Sequence, residues 1–145
     1  MAELPLIFTY SIAAPIEKAW DGFVSKEANQ MIFMGANFEV ELEPGGAMTW
    51  SGPGADGKPM RYVTGRVIQV DDPRLLEYDL GMGMGVSMSQ VRIELTPESD
   101  AVKVVVTNDN STEKDPAYAQ NAEGWPRILS RLKTHLETGK TFRPH

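Results

Sequence analysis

The chain contains no cysteine, which excludes disulfide bonds, thiolate metal sites and a cysteine nucleophile. Histidine is almost as scarce, with only His135 and His145 present. Two histidines ten residues apart do not have the spacing of a zinc site, so we predict no metal site and no catalytic histidine. The lack of cysteine is compatible with a reducing compartment, and the cytoplasm is the simplest expectation.

The chain has fewer basic than acidic residues, with 14 Lys and Arg against 20 Asp and Glu, so its formal net charge is -6. Proteins that bind nucleic acid usually show a basic balance or stripe, so that class of partner is disfavoured. Long hydrophobic runs are also missing, and the N-terminus lacks the pattern of a signal peptide. We therefore expect a cytoplasmic protein without membrane insertion, folded as one domain over residues 1–145.

What the sequence does contain is an amphipathic C-terminal segment. Apolar residues recur there three or four positions apart, on one face of a helix: Trp125, Ile128, Leu129, Leu132 and Leu136. The helix is expected to begin near Asp115-Pro116 and to end at Gly139. Pro126 predicts either a kink near residues 122–124 or a short segment followed by the main helix.

The segments before this helix mostly show the period of two that is typical of strands. We predict a strand over Leu6 to Ala13, short helices over Pro15 to Val24 and Lys26 to Ile32, and then only strands. The strands are expected at 38–43, 47–51, 60–70, 75–80, 89–95 and 102–106. The Gly-rich stretch Gly81 to Gly85 precedes a strand rather than a helix, so a hairpin connection is favoured over a phosphate-binding loop.

The strand pattern also predicts which side chains point inward. Phe38, Val40 and Leu42 alternate with three glutamates, which places the glutamates in solvent. In the strand 60–70, we assign the face that contains Tyr62 and Arg66 as inward. On the C-terminal helix, Arg127 and Arg131 are expected on a solvated face, with an anion-binding contact as the alternative.

The order of elements resembles the helix-grip (START-like, SRPBCC) superfamily, and within it the homologues of the activator of heat-shock-protein-90 ATPase. The segments that carry the resemblance are Ile12 to Trp20, Gly65-Arg66-Val67 followed by Asp72 to Leu75, and Glu123-Gly124-Trp125. The resemblance implies an α+β fold, in which a curved antiparallel sheet of about six or seven strands wraps around the long C-terminal helix. Two short helices follow the first strand in this fold.

A sheet wrapped around a helix often leaves a cleft, and we expect this one to bind a small hydrophobic or amphipathic ligand without catalysis or a cofactor. Methionines near element ends suit a pocket that adapts to apolar guests, although they equally suit an irregular core. The residues expected to line the cleft are Tyr10, Trp50, Tyr62, Tyr78, Met82, Met84, Asn108, Trp125 and Leu129.

Two other functions follow from the resemblance. The first is a protein-binding domain of the co-chaperone type, related to the activators of heat-shock-protein-90 ATPase. The second is an enzyme similar to the cyclases and dehydratases of the superfamily, which would need an ionisable group inside the cleft. The inward faces as assigned are nearly free of such groups, and the positions that would favour an enzyme are Arg66 and Glu77.

Overall fold

The computed structural model describes residues 6–32, 37–53, 57–81, 89–110 and 116–139. Its elements in chain order are β1 (Leu6–Ile12), α1 (Ile16–Val24), α2 (Lys26–Ile32), β2 (Asn37–Val40), β3 (Ala47–Pro53), β4 (Pro59–Asp71), β5 (Leu75–Gly81), β6 (Ser89–Glu98), β7 (Ala101–Asn110) and α3 (Pro116–Thr138). The predicted order of one strand, two short helices, six strands and a long helix is confirmed, with most boundaries within three residues.

The strands form one antiparallel sheet with the order β1-β7-β6-β5-β4-β3-β2. Strands β2 to β7 are neighbours in sequence and in space, whereas β1 pairs with the last strand, from Leu6 opposite Asn108 to Ile12 opposite Val102. The sheet is curved, and its register shifts once between β3 and β4 and once between β4 and β5. Such irregularities bend strands and increase their twist, which helps the sheet to curl around a helix.

The concave face of the sheet is apolar. In β7, Val102, Val104 and Val106 are fully buried, and they alternate with half-buried neighbours. In β6, Ile93 is also fully buried and lies directly opposite Val106. The alternation predicted near residue 38 is confirmed as well, since Phe38 is buried and the three glutamates of that segment are exposed.

The predicted inward orientation of Arg66 in β4 is wrong. Val67 is 1% exposed and is paired with the buried Tyr78, while Arg66 is exposed and Ile68 is 38% exposed. Both faces of this strand carry apolar residues, so alternation alone does not distinguish them. The register then shifts between Val67 and Gln69, so that Val70, opposite Leu76, is the next half-buried position.

The C-terminal helix α3 runs without a break from Pro116 to Thr138 with Pro126 inside it. The alternative of two separate segments is therefore wrong, and a kink near residues 122–124 stays a prediction. This helix contacts β1, β7, α1 and α2. Its side chains Leu129 and Leu132 are fully buried, and Leu132 lies against Gly22 of α1. The long apolar face of α3 therefore covers the sheet, as its periodicity predicts.

One flank of α3 is fixed to the edge strand β1 by charged side chains. Lys133 Nζ donates to the carbonyl of Ser11 at 2.6 Å and to Glu137 Oε2 at 2.7 Å. The same carboxylate oxygen accepts the backbone N–H of Ala13 at 2.8 Å. These contacts connect the last turns of α3 to the backbone at the C-terminal end of β1.

Two helical glycines give a matched test of the α1–α3 contact. A Cβ added to Gly22 would lie 2.6 Å from Leu132 Cδ1, whereas one added to Gly124 of α3 meets no atom of the described chain within 4 Å. Gly124→Ala should stabilise the protein by about 0.5–1 kcal/mol, the gain in helix propensity. Gly22→Ala makes the same gain but forces the buried Leu132 side chain to shift, so it should be less stable than Gly124→Ala by about 1–3 kcal/mol. Urea unfolding measures both changes, and equal stability of the two variants would contradict the close packing.

The contacts of Glu137 predict that the stability of the protein depends on pH in the acid range. The hydrogen bond from Lys133 and then that from the Ala13 N–H hold the pKa of Glu137 below its usual value of 4.5. The folded state favours the carboxylate form of Glu137. Its contribution to the free energy of unfolding is therefore complete above the usual pKa of 4.5 and is lost as the pH falls through the lowered pKa of the folded state. Acidification below about pH 4.5 should therefore weaken the wild type more than Glu137→Gln, as measured by urea unfolding at several pH values. Lys133→Met should reduce the same slope, and an unchanged slope in both variants would contradict this account.

Candidate functional site

An aromatic cluster lies on the concave side of β2, β3 and β5. Phe38 and Trp50 are directly opposite each other in the β2–β3 hairpin, with ring centroids 4.8 Å apart. Tyr78 of β5 lies 6.2 Å from Trp50. All three side chains are buried, and burial raises the pKa of the Tyr78 phenol. Tyr78 therefore remains a neutral hydroxyl, available as a hydrogen-bond donor or acceptor within an apolar surface.

A buried asparagine joins this cluster to the short helices. Trp50 Nε1 donates to Asn29 Oδ1 at 2.8 Å, and Asn29 Nδ2 donates to the carbonyls of Gly22 and Phe23 at 3.2 Å each. Asn29 thus satisfies two carbonyls at the end of α1 and positions Trp50 at the same time. We did not predict Asn29 from the sequence, because a single asparagine in a short polar helix has no pattern that distinguishes it.

A second tryptophan–asparagine pair joins α3 to the sheet. Trp125 Nε1 donates to Asn108 Oδ1 at 3.3 Å, and Asn108 Nδ2 donates to the carbonyl of Gln90 at 3.1 Å. Asn108 has no solvent exposure, so its predicted place on the inward face of β7 is confirmed. The amide oxygen and nitrogen of Asn108 both have hydrogen-bond partners within the protein. If Asn108 also anchored a ligand, the same two atoms would bond to the ligand as well.

The residues expected to line the cleft fall into two groups. Tyr10, half-buried, donates from its hydroxyl to the carbonyl of Pro126 at 3.4 Å. It therefore lies beside α3 with Asn108, Trp125 and the fully buried Leu129. Trp50 and Tyr78 form the other group, on the same face of the sheet but towards its β2 end. The side chain of Tyr62, in β4, and both Met82 and Met84 lie outside the described set.

Arg131 departs from the sequence-based expectation. Arg127 is exposed as predicted, but Arg131, one turn later, is only 3% exposed. Burial and, to a smaller extent, the neighbouring charge of Arg127 lower the pKa of Arg131. An arginine nevertheless remains protonated in proteins, so α3 carries a cation that is largely removed from water.

His135 lies one turn beyond Arg131. Its side chain as a whole is half-buried, but its Nδ1 atom is buried and has no hydrogen-bond partner in the described part of the chain. Trp20 Nε1 in α1 is in the same situation. Buried polar atoms usually have partners, which makes these two positions candidates for contact with another molecule.

Glu77 and Arg66, the positions that would favour an enzyme, are not buried. Glu77 is half-buried and lies 3.7 Å from Arg92, and Arg66 is exposed. Among the described residues, no group of three or more His, Asp or Glu side chains is arranged to hold a metal ion. None of the described helices is both long and apolar enough to span a membrane.

Two pockets that are lined by described residues open on other parts of the surface. The larger has a volume of about 410 Å³ and lies between the β1–α1 junction and the β6–β7 turn, with Glu98 and Asp100 at its rim. The smaller, of about 240 Å³, lies beside Arg74 and Arg92. Neither pocket includes a residue of α3 or of the aromatic cluster.

The sequence matches one family model, described as Activator of Hsp90 ATPase homolog 1-like protein, over residues 13–137. The chain belongs to this family. The match includes both short helices, β2 to β7 and nearly all of α3, so it agrees with the helix-grip architecture described above. A comparison with curated proteins found no match.

Solved structures share the fold at low sequence identity. The Mesorhizobium loti protein MLL2253 has a TM-score of 0.79 at 18% identity, covering 94% of this chain and 98% of that one. CalU16 from Micromonospora echinospora has a TM-score of 0.75 at 18% identity, covering 93% and 77%. DynU16, from the dynemicin biosynthetic locus, has a TM-score of 0.78 at 22% identity, and this chain spans 50% of its length. These neighbours show the fold alone. The family is what suggests a ligand-binding type of fold.

The hydrogen bond between Trp50 and Asn29 leads to a stability prediction. Asn29→Leu leaves the Trp50 N–H and two carbonyls of α1 without their buried partner, at a cost of about 1–3 kcal/mol for each unsatisfied group. Adding Trp50→Phe to Asn29→Leu removes the orphaned N–H, so the double variant should lose less than the sum of the single losses. Urea unfolding of the four proteins in the cycle measures this coupling, and strict additivity would show that the hydrogen bond does not contribute.

Proposed function

We propose that this protein binds a small hydrophobic or amphipathic ligand between the concave face of the sheet and α3, without chemical conversion. The observation that carries the proposal is the composition of this interior, where the aromatic side chains of Trp50, Tyr78 and Trp125 accompany a few buried polar groups. Binding sites for small molecules are typically apolar surfaces with a small number of positioned polar groups. The fold of the family supports the same conclusion.

The proposed lining joins the two groups of residues across the interior. One wall comprises Tyr10, Asn108, Trp125 and Leu129, and the opposite wall comprises Trp50 and Tyr78. The side chain of Tyr62, Met82 and Met84 lie outside the described set, and the sequence makes them further candidates for contact with the ligand, since methionine side chains can adapt to different guests. The hydroxyls of Tyr10 and Tyr78 would provide hydrogen bonds to the polar end of the ligand.

The chemistry of the buried polar groups favours binding over catalysis. In the described part of the chain, the buried polar side chains are Asn29, Asn108 and Arg131. Amides stay neutral and guanidinium groups stay charged near neutral pH, whereas a general acid or base must change its protonation state. The described carboxylates are all exposed or half-buried.

Thermal unfolding with a panel of ligands tests the proposal. A ligand at about 100 times its dissociation constant should add about 2.7 kcal/mol of stability and raise the melting temperature. Ile7 of β1 is 60% exposed, so Ile7→Ser should keep the full shift and thereby exclude adsorption to an exposed apolar side chain. Unchanged melting with every hydrophobic or amphipathic compound, at concentrations up to their solubility, would refute the proposal.

A protein-binding role is the second candidate, because the family is defined by an activator of the Hsp90 ATPase. It predicts direct binding to the chaperone and a change in the chaperone's ATPase rate. A change in that rate without any ligand-induced shift in melting would favour this role over the first. Binding of small ligands with no effect on the chaperone would favour the first.

A further inference from the structure

The strand order places β1 and β2 at the two edges of the sheet. On the outer side of an edge strand, backbone N–H and C=O groups have no partner in the sheet, so they can pair with a strand of another chain. Natural edge strands usually prevent this pairing by being very short, by carrying charge or proline, or through a bulge. β2 has two of these protections, because it spans only Asn37–Val40 and carries the exposed Glu39.

β1 has none of these protections. Its seven residues include no charged residue and no proline, and its register with β7 runs without a shift. Ile7 and Thr9 are exposed, and their opposite residues in β7, Thr107 and Val105, are also uncharged. At 60% exposure, Ile7 is the most exposed large hydrophobic side chain in the described part of the chain. β1 is therefore an uncharged edge strand that keeps an apolar side chain in water.

Helix α3 contacts the second half of β1 and leaves the first half accessible. The hydroxyl of Tyr10 reaches the carbonyl of Pro126, and Lys133 reaches the carbonyl of Ser11. Among the described elements, only β7 forms hydrogen bonds with Leu6–Thr9, the segment that we call the open edge. Every second residue of a strand directs its N–H and C=O to the same side, so the open edge presents donors and acceptors away from β7.

We propose that the open edge of β1 pairs antiparallel with the same segment of a second copy of this chain, which joins the two sheets into one. A two-fold axis makes such a contact self-complementary, because each strand offers the donors and acceptors that the other requires. The pairing places Ile7 beside the same residue, or beside Thr9, of the second copy and removes its side chain from water. The inference goes beyond the proposed ligand binding, since the open edge lies outside the interior.

Charge favours a second copy over another kind of strand. A partner recognised by its charge would require opposite charges on the open edge, and that segment has none. Each copy has a formal net charge of -6, so two copies approach most easily through an uncharged surface. Self-pairing through β2 would instead bring Glu39 of each copy close together, and like charges on paired strands are destabilising.

The length of the open edge sets the expected strength of the dimer. A pair of short strand segments buries less surface than a standard protein interface, so the dimer should be weak and in equilibrium with the monomer. Analytical ultracentrifugation of the wild type between about 10 μM and about 1 mM should show this equilibrium, because association of that strength is detected only at high concentration.

Two substitutions of exposed isoleucines locate the contact. Ile7→Lys should raise the dissociation constant of the dimer at least about tenfold, because two ammonium groups near the two-fold axis repel and the apolar contact is lost. Ile68→Lys is the matched control, since Ile68 is also exposed but belongs to β4, which has a neighbouring strand on both sides. It should leave the dissociation constant unchanged.

Hydrogen–deuterium exchange of the wild type supplies a test that needs no variant. Backbone amides within Leu6–Thr9 should exchange more slowly as the protein concentration rises, because pairing gives them hydrogen-bond acceptors. The amides of β2 should show no such change.

The inference would be overturned by a protein that stays monomeric over the whole concentration range. A dimer that survives Ile7→Lys, or that both substitutions weaken equally, would also contradict it. Protection that develops in β2 and not in the open edge would assign the contact to the opposite edge of the sheet and thereby refute the role of β1.

Discussion

The structure depends on one packing constraint, which is that the apolar concave face of the sheet must be covered. The valines of β7 and the apolar residues of β6 would otherwise face water, and α3 provides the apolar stripe that excludes it. Leu129 and Leu132 lie at the centre of this contact, and Gly22 allows α1 to approach α3 closely. Since α3 contacts β1 as well as β7, the first and last described elements of the chain meet here.

Within this apolar interior, polar groups are placed where they connect elements. Asn29 connects α1, α2 and β3 through Trp50, and Asn108 connects β6, β7 and α3 through Trp125. Each amide satisfies an indole N–H that burial would otherwise leave without a partner. These links hold the two aromatic walls in fixed positions, which is the preorganisation that a binding surface requires.

Periodicity predicted the secondary structure well and predicted side-chain environment unevenly. Phe38 and the valines of β7 were assigned correctly because one face of their strands is consistently apolar. Arg66 of β4 was assigned wrongly because both faces of this strand carry apolar residues and its register shifts after Val67. Arg131 was placed in water by its charge, whereas its burial depends on elements that pack against α3 from elsewhere in the chain.

The sequence by itself determined the order of elements and the residues that form most of the core, because these follow from local periodicity and turn chemistry. The helix-grip architecture was implied by the resemblance to a known family. The tertiary structure alone decided the partners of Trp50 and Trp125, the role of Asn29 and the burial of Arg131. Apart from the hydrogen bonds of Asn29 to α1, each of these features depends on contacts between residues distant in the chain. Such contacts are set by the curvature of the sheet and the direction of α3, and no local pattern encodes either.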